Sequence, residues 1–189
     1  MIKHSDIPSF KDDSIDKNLQ KFIKHYNPSS ILEVGVGLGS STWNILDCIN
    51  KHTLFHAIDK FEFDPEPYRI EKVKQCKNYY NLAKEQNQII NDKYDHYSIF
   101  CWLVEMHRNS CTIINQDIWN FMYTKDNIYE FVYLDNAKHL PVLYKQLEFF
   151  KSSKVICGTG YSNEHNKIDV DNFSKNKTLF TDQDFWLIS

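Results

Sequence analysis

The stretch from Ser30 to Thr42, SILEVGVGLGSST, constrains the fold of this chain more than any other part of the sequence. An apolar run at its start indicates a short buried strand, and the glycines Gly35, Gly37 and Gly39 follow at every second position. Trp43 to Ile49 then has the apolar spacing of a helix. Glycine lets the backbone approach a ligand closely, and the first turn of a helix offers N–H groups to bind it. The order of strand, glycine turn and helix therefore predicts a nucleotide-binding βα unit.

The composition favours a single domain, residues 1–189, with a packed core. Of the 189 residues, 42% are hydrophobic and 15% aromatic, and a domain of this length buries roughly 70% of its unfolded surface. The formal net charge of −3 lacks the basic excess typical of nucleic-acid binding, so we expect no nucleic acid as a partner. The polar start MIKHSD shows no signal peptide, no apolar run approaches the length of a membrane span, and the five cysteines lack C-x-x-C spacing. We therefore expect a cytoplasmic protein with no membrane partner and no structural zinc.

Strand and helix patterns alternate along the chain. An amphipathic helix is predicted from Ser14 to Tyr26, within an N-terminal segment 1–29, just before the first strand. The further predicted strands are Thr53–Asp59, Cys111–Asn115, Glu130–Asp135, Lys154–Cys157, Thr178–Phe180 and Phe185–Ile188. The last two form a hairpin. The predicted fold class is α/β, a Rossmann-like, mainly parallel sheet flanked by helices, with a C-terminal antiparallel hairpin.

The connection at 60–110, between strands two and three, is a helical insertion longer than a simple crossover needs. Two helices are predicted in it, Tyr68–Asn91 and Tyr94–His107. The second is apolar nearly all round, so either it is buried on both sides or it forms a subunit interface. A homodimer through the 94–107 helix therefore stays open.

Four acidic residues follow or end successive predicted strands, namely Glu33, Asp59, Asp117 and Asp135. Open α/β sheets bind their ligands at the carboxyl ends of the strands, so these side chains are candidates for one site. Each also has a purely structural interpretation, since loop acids often terminate strands, and Glu33 could serve only to hold neighbouring backbone.

The spacing E-x-G-x-G-x-G, with an acid about twenty residues further on, resembles the class I S-adenosylmethionine-dependent methyltransferases, in particular a small-molecule O-methyltransferase-like branch. The resemblance extends from about Ile31 to Cys157. It implies S-adenosyl-L-methionine as cofactor, with Asp59 on the ribose hydroxyls, Asp117 on the adenine amino group and Asp135 beside the reactive methyl. The residues it assigns to cofactor binding are Glu33, Gly35, Gly37, Gly39, Ser41, Asp59, Asp117, Ile118 and Asp135.

The acceptor end departs from the pattern of that branch. The histidine expected soon after strand four comes as His139, and strand five ends in Gly158-Thr159-Gly160-Tyr161 without the expected acids. We therefore expect a metal-independent enzyme that methylates a small-molecule or sugar hydroxyl. The catalytic candidates are Asp135, His139 and His165. Residues 158–172 are predicted to be a polar loop that acts as a substrate lid, with Tyr161 and His165 facing the pocket.

Two alternatives remain open. A dinucleotide-dependent oxidoreductase also carries a glycine turn after strand one, but the third glycine of G-x-G-x-x-G is Ser40 here. A catalytically degenerate methyltransferase fold that serves as a binding or scaffold protein would explain the missing acids after strand five.

Overall fold

A seven-stranded, mainly parallel sheet organises the molecule. The computed structural model describes residues 3–9, 13–61, 67–135 and 142–189. The strands are β1 (Ser30–Val34), β2 (Leu54–Asp59), β3 (Thr112–Asn115), β4 (Phe131–Leu134), β5 (Val155–Gly158), β6 (Leu179–Asp182) and β7 (Phe185–Ile188). Their order across the sheet is β3-β2-β1-β4-β5-β7-β6. The strands from β1 to β5 pair in parallel, whereas β7 is antiparallel to both β5 and β6. The predicted fold class, with its C-terminal hairpin, is confirmed.

Helices cover both faces of the sheet. They are α1 (Asp13–Tyr26), α2 (Ser40–Cys48), α3 (Pro67–Gln75), α4 (Lys77–Glu85), α5 (His96–Glu105), α6 (Ile118–Thr124), α7 (Val142–Phe149) and α8 (Glu164–Phe173). A short 3-10 helix, His4–Asp6, precedes them. In the described part of the chain, no helix has both the length and the apolar character that crossing a bilayer requires.

The sequence of β1 explains how the two faces are built. Successive side chains of a strand point to opposite faces, so Ile31 packs with α1, α2 and α5, while Leu32 packs with α6, α7 and α8. All five residues of β1 are buried. Glu33 lies on the same face as Ile31, directed at the start of α2.

A third apolar cluster covers the outer side of the glycine turn. It joins Leu38 of the turn and Trp43 of α2 to the inner residues of α3, α4 and α5. The long insertion thus folds back as a cap over β1 and α2, at the edge of the sheet where the parallel strands end.

Two helix predictions in this region are corrected or explained by the structure. The predicted helix at 68–91 is two helices, because the chain turns at Cys76 (φ −84°, ψ 71°). The apolar side chains of α5 contact both the sheet cluster, through Phe100 and Val104, and the cap cluster, through Ile99 and Leu103. Burial on both sides within one chain accounts for its apolar character, and the homodimer stays a prediction.

Candidate active site at the carboxyl ends of the strands

The glycine turn after β1 adopts the left-handed backbone that its sequence anticipates. The φ angles of Gly35, Gly37 and Gly39 are +85°, +53° and +89°, a region that costs side-chain-bearing residues energy. A Cβ on Gly39 would lie 2.4 Å from Cδ2 of Leu103, whereas a Cβ on Gly37 would meet nothing within 4 Å. The turn is therefore closely packed against α5 at Gly39 and open at Gly37.

Helix α5 also holds the turn through a hydrogen bond. The ring of His96, only 3% exposed, donates from Nε2 to the carbonyl of Gly37. Asp95 caps the helix by accepting a hydrogen bond from the Ser98 N–H at 2.7 Å, which fixes where His96 enters the core. Nothing in the sequence predicts this contact, because the two partners are 59 positions apart and His96 belongs to no motif.

The N-terminal segment 3–9 closes the other side of the same region. Ile7 is buried beside Leu38 in the cap cluster. Nε2 of His4 lies 2.7 Å from the amide nitrogen of Asn44 and 3.3 Å from a carboxylate oxygen of Asp16. These contacts tie the segment to α1 and α2, directly behind the glycine turn.

Glu33 and Ser41 bond to each other. The carboxylate of Glu33 is fully buried and accepts hydrogen bonds from Ser41 Oγ at 2.5 Å and Thr42 Oγ1 at 2.6 Å. Hydroxyl donors are what a buried carboxylate needs in place of water. These two bonds fix the start of α2 against β1, and the cofactor contacts assigned to Glu33 and Ser41 stay predictions.

Asp59 stands beside the turn at the end of β2. Its Oδ2 accepts the N–H of Val36 at 2.9 Å, and its Oδ1 accepts the N–H of Phe61 at 3.0 Å. Each carboxylate oxygen has two acceptor sites, so both can still accept a hydrogen bond from a ligand hydroxyl. Asp59 therefore shapes the turn and keeps the capacity that a ribose would use.

Asp117 lies at the end of the neighbouring strand β3 and caps α6. It accepts the N–H of Trp119 at 2.7 Å, and the Nζ of Lys60 lies 2.7 Å from its other oxygen. Burial alone would raise the pKa of this carboxyl, but the hydrogen bonds from Lys60 and from the backbone of Trp119 and Asn120 hold it below the ordinary value of 3.8. Asp117 is therefore an ionised acceptor at neutral pH.

An open depression of about 510 Å³ adjoins this carboxylate. Its lining is polar and consists of Lys60, Asn115, Gln116, Asp117 and Asn120. Ile118, by contrast, is buried in the core beneath α6, and Trp119 packs beside it with Nζ of Lys145 5.5 Å from its ring centroid. An adenine contact from Ile118 stays a prediction.

Asp135 lies across β1 from these residues, at the end of β4. Its Oδ1 accepts a hydrogen bond from Thr159 Oγ1 at 2.6 Å, and the carbonyl of Thr159 accepts one from Trp186 Nε1 at 3.1 Å. Gly158 permits this arrangement, since a Cβ there would lie 2.5 Å from the Leu134 carbonyl oxygen. The ends of β4 and β5 are thereby joined by side chains.

The sequence prediction for 158–172 is wrong in its secondary structure. Residues 164–173 form α8, capped by Asn163, and Asp184 of the β6–β7 turn accepts the N–H groups of Gly160 at 2.9 Å and Ser162 at 3.0 Å. This stretch is therefore pinned to the hairpin rather than forming a long loop.

Tyr161 and His165 are expected to face a pocket from this stretch, and that role stays a prediction. The hydroxyl of Tyr161 donates to Asp171 at 2.8 Å, and burial, followed by this bond, raises its pKa, so the phenol stays protonated at neutral pH. His165 is exposed in the first turn of α8. His139 lies outside the described residues.

Metal ligands do not gather anywhere in the described ranges. Over those residues, no group of three or more histidine, cysteine, aspartate or glutamate side chains is arranged to hold an ion. The position after β5 carries Thr159, whose hydroxyl is directed to Asp135.

The architecture has counterparts among solved structures. No family model matches the chain, and no curated protein matches its sequence. An O-methyltransferase from Bacillus cereus, solved in complex with SAH, is 13% identical with a TM-score of 0.54, covering 97% of this chain and 84% of its own. A methyltransferase from Geobacter sulfurreducens is 12% identical with a TM-score of 0.55, with 97% and 81% covered. A TDP-rhamnose 3′-O-methyltransferase of calicheamicin biosynthesis is 11% identical with a TM-score of 0.54, with 93% and 78% covered.

The chain therefore has the fold of the class I methyltransferases. Dinucleotide-binding Rossmann sheets classically run 3-2-1-4-5-6 with parallel strands, whereas an antiparallel β7 lies between β5 and β6 here. This strand order differs from that of the dinucleotide-binding sheets.

Proposed function

We propose that this protein is an S-adenosylmethionine-dependent methyltransferase that acts on the hydroxyl of a small molecule or sugar without a metal ion. One observation carries the proposal. A glycine turn that is open at Gly37 follows β1, and two acidic acceptors, Asp59 and Asp117, lie at the ends of the next two strands, β2 and β3, in a methyltransferase fold. The known O-methyltransferase neighbours, including one that methylates a nucleotide sugar, support a hydroxyl acceptor.

The residues present fit the cofactor. The space beside Gly37 admits the close approach of a ligand to the backbone. Asp59 can accept two further hydrogen bonds, as the vicinal hydroxyls of a ribose require. The depression beside Asp117 is lined by three amide side chains, one carboxylate and Lys60, and the amides and the carboxylate suit the donor and acceptor edges of a purine.

The bound cofactor would supply a methyl group on a sulfonium centre, ready for in-line transfer. The protein then has to position the acceptor oxygen and remove its proton, since positioning supplies much of the rate of such a transfer. Asp135 stands at the strand end next to the glycine turn, where Thr159 orients its carboxylate. His139, four positions beyond Asp135, is the proposed base.

Calorimetry of the purified protein with SAH and with NADH tests the cofactor assignment. We expect saturable binding of SAH and none of NADH. Binding of NADH alone would restore the oxidoreductase alternative. Binding of neither ligand would contradict the enzyme assignment and favour a scaffold role.

The role of His139 has its own test once an acceptor is found. His139→Ala should slow turnover by ~10²-fold or more while SAH affinity stays unchanged, because a general base acts on the acceptor and not on the cofactor. His25→Ala, which removes an exposed ring on α1, is the matched control, and His165→Ala tests the other histidine candidate. A normal rate in His139→Ala would exclude it as the base.

A further inference from the structure

Lys60 is the residue of the candidate site to which neither the sequence motif nor the fold gives a role. It follows Asp59 directly, and its Nζ lies 2.7 Å from Oδ2 of Asp117, on the next strand of the sheet. The Asp117 side chain is 20% exposed and the Lys60 side chain 52% exposed. In this pair, the Asp117 carboxylate is thus mostly buried, whereas the Lys60 side chain lies at the rim of the depression and is about half exposed.

The backbone around Lys60 is fixed by Asp59. The Asp59 carboxylate accepts the N–H of Val36 and the N–H of Phe61, and its carbonyl accepts the N–H of Gln116 at 3.0 Å. Residue 60 therefore lies between two residues that are held in place, and its neighbour Asp59 is joined to Gln116, just after β3, by a main-chain hydrogen bond. Phe61, which follows, is anchored in the core, with its ring centroid 5.2 Å from that of His96.

The two oxygens of Asp117 have different partners. Oδ1 accepts the Trp119 N–H, a helix-capping bond that sets the position of the carboxyl group. Oδ2 is paired with Lys60 at the border of the polar depression. Without the ammonium, this oxygen would lose its charged partner while keeping its partly buried surroundings.

We propose that Lys60 is a positioning residue for nucleoside recognition, which holds the Asp117 carboxylate oriented toward the depression so that it accepts a hydrogen bond from the amino group of an adenine. The inference rests on the proposed function for the identity of the ligand. It adds a residue at the rim of the site that acts on the ligand only through Asp117. The substrate class concerned is adenosyl ligands in general, both SAH and S-adenosylmethionine.

The absence of the ammonium has a defined electrostatic consequence. Burial is the largest influence on the pKa of Asp117 and raises it, and Lys60 is the largest opposing one. Lys60→Met removes that opposing charge, so the carboxyl should titrate at higher pH. As the pH is lowered, a ligand that needs the ionised carboxylate should therefore begin to lose affinity at a higher pH in Lys60→Met than in the wild-type protein.

The test uses Lys60→Met, the charge-conserving Lys60→Arg, and Lys125→Met as a control that removes one exposed charge elsewhere. In the ligand-free protein, carboxyl carbon NMR should show the Asp117 midpoint moved upward in Lys60→Met only. SAH affinity at pH 7.5 should fall about threefold to tenfold in Lys60→Met, as removal of a partly exposed charged partner predicts. In Lys60→Met, the pH below which SAH affinity falls should rise together with the NMR midpoint of Asp117. In Lys60→Arg, both the affinity and the midpoint should return to the wild-type values.

An unchanged Asp117 midpoint in Lys60→Met would overturn the proposal, whatever the ligand. So would a shifted midpoint with unchanged SAH affinity and an unchanged binding profile, because the pair would then stabilise only the fold. Failure of the wild-type protein to bind SAH would instead refute the proposed function. The NMR arm needs no ligand, so the two failures are distinguishable.

Discussion

Replacing Gly39 with alanine should destabilise the protein strongly, whereas the same change at Gly37 should mainly affect ligand binding. Both glycines have positive φ angles, +89° and +53°. They differ in their surroundings, because only the Cβ on Gly39 would collide with a side chain, Cδ2 of Leu103 at 2.4 Å. The pair therefore separates backbone strain from packing.

The expected magnitudes follow from these two terms. A left-handed backbone costs an L-residue about 1–2 kcal/mol, partly offset by the smaller entropy of the unfolded alanine chain, so Gly37→Ala should lose about 1 kcal/mol of unfolding free energy. Gly39→Ala adds an overpacking cost of about 1–3 kcal/mol, since the Leu103 side chain is only 1% exposed and would have to shift within the core. The total of about 2–4 kcal/mol is a large share of the stability of an ordinary domain.

Urea unfolding followed by circular dichroism measures both variants on one scale. The midpoint of Gly39→Ala should fall by about 1–2 M relative to wild type, and that of Gly37→Ala by about 0.5 M. The Leu103→Ala background lacks the colliding side chain. In a double-mutant cycle, Gly39→Ala should therefore cost no more unfolding free energy in that background than Gly37→Ala costs in the wild-type protein. Equal midpoint shifts for the two glycine variants, or strict additivity with Leu103→Ala, would refute the packing argument.

Two further substitutions probe the strand ends. Glu130, whose carboxylate binds Lys154 and the Ser29 N–H, has its pKa lowered from 4.5 to about 2, chiefly by Lys154. The folded-state pKa lies below the unfolded one, so this stabilisation is present above pH 4.5 and is lost as the pH falls toward 2. Glu130→Gln should therefore lower the unfolding free energy by about 1 kcal/mol at pH 7, a value reduced because the Lys154 side chain is mostly exposed. The difference in urea midpoint between this variant and the wild type should vanish near pH 2. A difference that stays constant with pH would contradict the assignment. Asp59→Ala should weaken SAH binding by about 1.5–3 kcal/mol in calorimetry and lower the unfolding free energy as well, because two backbone N–H groups lose their acceptor, and unchanged affinity would exclude its ribose role.

The sheet could be predicted from sequence because its strands are short apolar runs bounded by turn residues. The seventh strand matches its prediction of Phe185–Ile188, and β2 begins one residue later than the predicted Thr53. The acids that follow such strands share one edge of any parallel sheet, so Asp59 and Asp117 could be placed near the glycine turn without knowledge of a single distance.

Helices whose boundaries depend on tertiary contacts could not be predicted. The break at Cys76 has neither proline nor glycine beside it, so the local pattern gives no reason to end a helix there. Helix α8 is largely polar and buries only Asn166 and Val170, too few to produce a helical periodicity. Its packing against α7, rather than its own sequence, stabilises it.

The contacts that support the candidate site could not be predicted from the sequence either. The partner of Glu33 was open between ligand and backbone, and the structure places its carboxylate on the hydroxyls of Ser41 and Thr42. The bond of His96 to Gly37 depends on how the insertion folds back, which no local pattern encodes, and the pairing of Lys60 with Asp117 depends on the side-chain directions at the ends of β2 and β3.

The hairpin of β6 and β7, which supports the end of β5, is the last part of the described chain to be synthesised. Trp186 supports the carbonyl of Thr159, and Asp184 holds the backbone of Gly160 and Ser162. A nascent chain that has emerged only as far as α8 has the glycine turn, Asp59 and Asp117 but lacks the groups that fix the end of β5. Because a domain folds as a unit and the hairpin is the last of its elements to be synthesised, the end of β5 beside Asp135 is completed only after the hairpin leaves the ribosome.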